Sequence, residues 1–181
     1  MHLTKTEIFR QLLEQGESPL RLGIKRLVTA AKEQQIRLAI ATTTALPNAM
    51  AIVQKFFAPE WFEVIAAGDI VPAKKPAPDI YHYVLQQMSL EPDECIVIED
   101  SHHGLQAATK AGLKTVVTVN DYTKEQDFRD AVLVLNHLGE PEKPFQVIQG
   151  KITDDSYLTL AGIERLLVVR GGSRTARTVS W

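Results

Sequence analysis

Residues 95–112 read CIVIEDSHHGLQAATKAG, and this stretch decides the fold. Cys95 to Ile98 is an unbroken apolar run of strand length, the pattern of a strand buried in a parallel sheet. Glu99 and Asp100 end the run, and Ser101 offers a helix-capping hydroxyl directly after them. Gly104, Ala107, Ala108 and Ala111 then recur at i, i+3, i+4, i+7. That stripe holds only small side chains, so the helix backbone can lie close to the sheet, and Gly112 is placed to close the helix. A strand, a polar turn and a helix in this order form the repeating unit of an α/β sheet.

The same alternation extends outward from about residue 16 to 135. Strands are expected near 37–42 (RLAIAT), 62–66 (FEVIA), 95–99 (CIVIE), 115–119 (TVVTV) and 131–135 (AVLVL). Between them, Ile24, Leu27, Val28 and Ala31 keep helical spacing, as do Ala49, Ile52, Val53 and Phe56, and Tyr81, Val84, Leu85 and Met88. The ends differ from this middle. Residues 5–15 make a short amphipathic helix, and Gly16-Glu17-Ser18-Pro19 marks a boundary. Residues 138–151 form an excursion before a last helix near 155–167. The segment 169–181, with Arg170, Arg174 and Arg177, reads as a flexible basic tail after a core of residues 17–168.

Composition narrows the function classes. The 181 residues carry 20 Lys and Arg against 22 Asp and Glu, a formal net charge of -2, without the bulk basic field of a nucleic-acid binder. One cysteine, Cys95, forms no internal disulfide framework and suits a reducing cytosol. No apolar run approaches the ~20 residues of a membrane helix. The expectation is a soluble cytoplasmic protein with neither nucleic-acid nor membrane partners.

In an open parallel sheet, ligands bind beyond the carboxyl ends of the strands, where loops and helix N-termini converge. The residues falling there are Thr42, Thr43 and Thr44; Gly68, Asp69, Lys74 and Lys75; Glu99, Asp100 and Ser101; and Asn120 and Asp121. Hydroxyls, cations and carboxylates along one edge suit a phosphate held beside a divalent cation. Consecutive carboxylates leave a strand on opposite faces, so one of Glu99 and Asp100 can ligate directly while the other acts from the outer shell. Such hard oxygen donors fit Mg²⁺. Each feature also has a plainer reading: Asp100 and Ser101 as a helix cap, the lysine pair as solvated surface, His102-His103 as helix surface, and Cys95 as a small buried hydrophobe. P-loop and dinucleotide fingerprints are absent from the sequence.

Taken in order, LAIATTT, AKKPAPDIY and CIVIEDSHHGLQAATKAG resemble the haloacid dehalogenase-like hydrolases, within them the phosphoglucomutase-like and CbbY-like sugar phosphatases, over about residues 5–140. The resemblance implies a Rossmann-like core with residues 1–16 as the remnant of a helical cap. It implies Thr42 and Lys75 as catalytic residues that hold the phosphoryl group and neutralise its charge. Thr43, Thr44 and Asn48 would line the substrate side, and Asp100, with Glu99, would hold Mg²⁺. The implied reaction is hydrolysis of a small sugar phosphate, such as a xylulose bisphosphate, through a phospho-aspartate. No Asp in the sequence is followed two residues later by another, so the D-x-D-G-T motif that supplies the nucleophile is not encoded. In the family that motif ends a central strand between those carrying Thr42 and Glu99. This chain is therefore expected to leave two strand edges unpaired, to be inactive alone, and to need a complementing N-terminal segment or chain. The alternative is a degenerate module that binds Mg²⁺ and phosphate or docks on a partner.

Overall fold

A computed structural model describes residues 20–154 and 156–167, and the backbone of 178–180. The expected amphipathic helix at 5–15, the cap remnant and most of the basic tail lie outside the described residues. In chain order the elements are α1 (Ile24–Glu33), β1 (Arg37–Thr42), α2 (Leu46–Phe56), β2 (Val64–Ala67), α3 (Asp79–Met88), β3 (Cys95–Glu99), α4 (His102–Lys110), β4 (Lys114–Thr118), β5 (Leu133–Leu135), β6 (Val147–Gly150), α5 (Leu160–Leu167) and β7 (Thr178–Ser180).

The strands form one sheet in the order β2-β1-β7-β3-β4-β5-β6, parallel throughout except for β6, which runs antiparallel beside β5. Both faces are covered. One core gathers Leu27, Val28, Leu38, Ile96, Ile98, Val116, Leu133 and Ile163, and the other gathers Ala39, Ala66, Ile80, Val84, Val97, Ala107 and Ala108. Alternate residues of β1 and β3 feed opposite cores, which is why these strands read as continuous apolar runs and not as apolar-polar alternation.

The strands and helices expected in the middle of the chain are present, with ends shifted by one or two residues at β2, β4 and β5. Two strands were not expected. β6 falls inside the excursion of 138–151; its Val147 and Ile148 are largely exposed, so no buried face marks it in the sequence. β7 falls inside the segment read as a flexible tail. It pairs in parallel with both β1 and β3, Ser180 opposite Ala39 on one side and Val97 on the other. The expected gap in the sheet is therefore filled over three residues, because a short β-branched stretch from the far end of the sequence can enter a slot whose flanking strands are already fixed by their helices.

Candidate active site

The carboxyl ends of β1, β3 and β4 open into a cleft of ≈ 480 Å³, lined by Thr42, Thr43, Thr44, Lys75, Glu99, Asp100 and Ser101, together with Arg21 and Thr118. Sheet topology brings these groups together. Thr42 is the last residue of β1, and its hydroxyl accepts the Thr44 N–H at 3.2 Å, which holds the threonine loop in a tight turn above the strand. Asn48, expected on the substrate side, does not line the cleft; it sits in the first turns of α2, and its Oδ1 is buried without a hydrogen bond among the described residues.

Lys74 and Lys75 part company. Lys74 pairs at the surface with Asp69 at 2.7 Å, whereas Lys75 turns inward. Its ammonium donates to the Ala41 carbonyl at 2.9 Å and to Glu99, and it stands 4.8 Å from the Tyr81 ring centroid. The ion pair is well buried, with 10% of the Lys75 side chain and 6% of Glu99 exposed. Four donors converge on Glu99: Lys75 Nζ and the Tyr81 hydroxyl (2.7 Å) at Oε1, the Asp100 N–H (3.1 Å) and the Ser101 hydroxyl (3.3 Å) at Oε2. A carboxylate so occupied fixes the lysine and the turn. Most of its lone pairs are thereby taken by this chain's own donors.

Asp100 faces the cleft. Burial, then the neighbouring Glu99 charge, push its carboxyl above the ordinary aspartate value, against the pull of Arg21 and Lys75. A further cation in the cleft, beside Arg21 and Lys75, would relieve that like-charge pressure. Among the described residues no group of three His, Cys, Asp or Glu is placed to hold a metal ion. Ser101 caps α4 by accepting the Gly104 N–H at 3.1 Å, as its plainer reading has it. Gly104 is there because Glu99 is: a Cβ built on it would overlap the Glu99 carboxylate.

Two site residues were not legible as such. Tyr81 has the spacing of a core residue and is one, yet its hydroxyl is spent on Glu99; burial and the Glu99 charge raise the phenol well above its ordinary value. Arg21 precedes the first apolar helix and carries no motif. Its guanidinium donates to the carbonyls of Thr118 (2.9 Å), Val119 and Asn136 (3.2 Å), clamping the ends of β4 and β5, and burial lowers its basicity while Asp100 opposes that. The signal for Tyr81 was a hydroxyl on an otherwise apolar helix face; Arg21 had none.

This arrangement can be compared with known proteins. The haloacid dehalogenase-like hydrolase family matches residues 2–118, well over half of the sequence, and the chain belongs to that family. The protein CbbY of Cereibacter sphaeroides is 45% identical over 143 residues, covering 77% of this chain and 62% of the relative. A crystal structure of a CbbY mutant from Rhodobacter sphaeroides in complex with xylulose-(1,5)bisphosphate superposes with a TM-score of 0.70 at 45% identity, over 74% of this chain and 60% of that one. A phosphorylated carbohydrates phosphatase of Thermotoga maritima is 33% identical over 119 residues, 66% of this chain and 53% of the relative. The chain thus spans about three fifths or less of the length of these relatives. Among the described residues no helix is long and apolar enough to cross a membrane.

Proposed function

We propose that this chain forms the phosphate-handling part of a sugar-phosphate phosphohydrolase. The observation that carries the reading is the buried Lys75 ammonium, held by Glu99 and the Ala41 carbonyl in the cleft that also receives Thr42 and Asp100. A buried ammonium held in place by a carboxylate and a carbonyl is preorganised in a low-dielectric setting, so it stabilises the negative charge of a phosphoryl group more strongly than a surface lysine would. Thr42 and the following backbone amides complete the cradle for phosphoryl oxygens, and Thr43 and Thr44 stand on the substrate side. Asp100 would hold Mg²⁺, which when bound adds charge neutralisation at the phosphate. The substrate class is a small phosphorylated sugar, with a xylulose bisphosphate favoured by the likeness to CbbY. The protein works in the cytoplasm.

The in-line carboxylate nucleophile is the part that this sequence does not encode, so the chain alone binds and does not turn over. Calorimetric titration with inorganic phosphate in the presence of Mg²⁺ tests the reading. Saturable binding, weakened at least tenfold by Asp100→Ala, supports it; binding equal in parent and variant refutes it. Hydrolysis of phosphate esters is expected to be no faster than for Asp100→Ala, and robust turnover lost in that variant would show that another nucleophile acts. The second reading, a non-catalytic module that binds phosphate and Mg²⁺, is favoured by the same missing motif. It differs in that a supplied D-x-D-G-T segment would restore no activity.

A further inference from the structure

The cleft is larger than a phosphate site needs. Its polar lining residues come from the strand ends, the loops that follow them and Arg21, and the remaining lining among the described residues is apolar. Ile24 and Val28 belong to α1, Ile40 to β1, Ile52 and Val53 to α2, and Phe57 directly follows α2. The two helices diverge: α1 packs over β1, whereas α2 packs over β2. Between them a chamber remains on the face of the sheet that carries Leu27, Leu38 and Ile98.

The chamber has a definite chemistry. Val28 and Val53 are buried, yet Ile24, Ile40 and Phe57 pack against the same core and keep part of their surface open. Protein interiors are normally filled to crystal-like density, so an unfilled apolar space beside a core leaves contacts unmade. Aliphatic and aromatic walls offer water no hydrogen bonds, and spaces of this kind take apolar guests. A polyol would fare worse there, because its buried hydroxyls would find no partners. The whole cleft, at ≈ 480 Å³, lies within the roughly 300 to 1,000 Å³ of pockets that enclose small organic ligands. At its polar end, two of the three Lys75 N–H donors go to Ala41 and Glu99, which leaves one for an anion.

We propose that the cleft takes an anionic amphiphile, a single-chain alkyl or aryl phosphate whose phosphate lies at Lys75 and Thr42 and whose apolar body fills the chamber between α1 and α2. The anion end rests on the phosphate handling proposed for this site; the chamber does not. A sugar phosphate sharing that end keeps its hydroxyls toward Thr43, which is exposed, and Thr44. The two ligand classes therefore compete for one anion position and differ in the compartment that their bodies occupy.

Calorimetric titration of the whole chain in Mg²⁺ with inorganic, methyl, butyl and hexyl phosphate tests the assignment. Affinity is expected to rise about fourfold for each methylene from methyl to hexyl, the ratio that burial of one CH₂ gives. Hexyl phosphate should bind at least tenfold tighter than ribose 5-phosphate. A flat series with inorganic phosphate still bound overturns the chamber and leaves the phosphate reading standing. Hexanol reads the chamber without the anion; affinity equal to that of hexyl phosphate overturns the anionic end. Ala49→Leu places a larger side chain against the chamber, and should keep the affinity for inorganic phosphate while cutting the gain per methylene below twofold. An unchanged gain puts the alkyl chain elsewhere on the surface and overturns the assignment. Hydrogen exchange on the parent covers the case of a variant that fails to fold. Hexyl phosphate, and not inorganic phosphate, should slow exchange in α1 and α2, and equal protection by both overturns the proposal.

Discussion

On its β4 edge, β3 is paired through four register positions, from Ile96 to Glu99, whereas on its β7 edge pairing covers Cys95 to Val97 and stops two residues before the strand ends. The fully paired edge belongs to a strand–helix–strand unit contiguous in sequence, in which α4 returns the chain directly to β4. The partly paired edge depends on a segment almost eighty residues downstream of β3. Local connection fills an edge at little entropic cost, while a distant segment must be closed over a long loop before it gains any pairing. The chemistry has settled at the weaker edge: Lys75, Glu99 and Asp100 crowd around the end of the strand where the ladder stops.

If the network beyond the end of the β7 ladder is the rigid part, its disruption should have the largest effect. Lys75→Met leaves the Glu99 charge buried without its counter-ion, and should cost about 3 to 5 kcal/mol in urea unfolding. A loss under about 1 kcal/mol would mean that the other donors to Glu99 suffice and that the comparison between the two edges has been drawn too sharply. Gly104→Ala drives a methyl group into the same carboxylate and should cost about 1 to 3 kcal/mol, with Mg²⁺-dependent phosphate binding reduced in parallel. Tyr81→Phe removes one of four donors while keeping the packing, and should cost about 1 kcal/mol. A still smaller effect is expected just after β5. Burial, then Arg21 and Lys143, hold His137 below its ordinary value, and its Nδ1 accepts the Gly139 N–H at 3.1 Å. A depressed histidine binds fewer protons folded than unfolded, so its contribution is present above the unfolded value of about 6.5 and is lost as pH falls through the folded value. Melting temperatures of the parent and of His137→Gln, taken from pH 7.5 downward, should show the variant losing less stability on acidification.

Lys75 shows how far the sequence could be read. Its place before Pro76 matched the lysine that the family resemblance assigns to phosphate charge, and the structure brings it to the cleft beside Thr42 and Asp100. That it is also half of a buried ion pair could not be read, because the partner, Glu99, lies twenty-four residues away and was itself a candidate metal ligand. Asn48 shows the converse. The resemblance implied it on the substrate side; it sits in the first turn of α2, next to Ala49 of the cleft lining and not itself among the lining residues.

By itself the sequence determined the α/β class, the order of the central strands and helices, the edge of the sheet that carries chemistry, and the absence of a D-x-D pair, since each follows from residue type and period along a continuous stretch. Only the tertiary structure decided that Glu99 serves Lys75, that Tyr81 and Arg21 belong to the site, and that Thr178–Ser180 enters the middle of the sheet. Those outcomes depend on which groups meet across long separations. A side chain's hydrogen-bond partner and a strand's neighbour are set by the burial cost of leaving backbone and charged groups unpaired, and that cost exists only once the chain has folded around them.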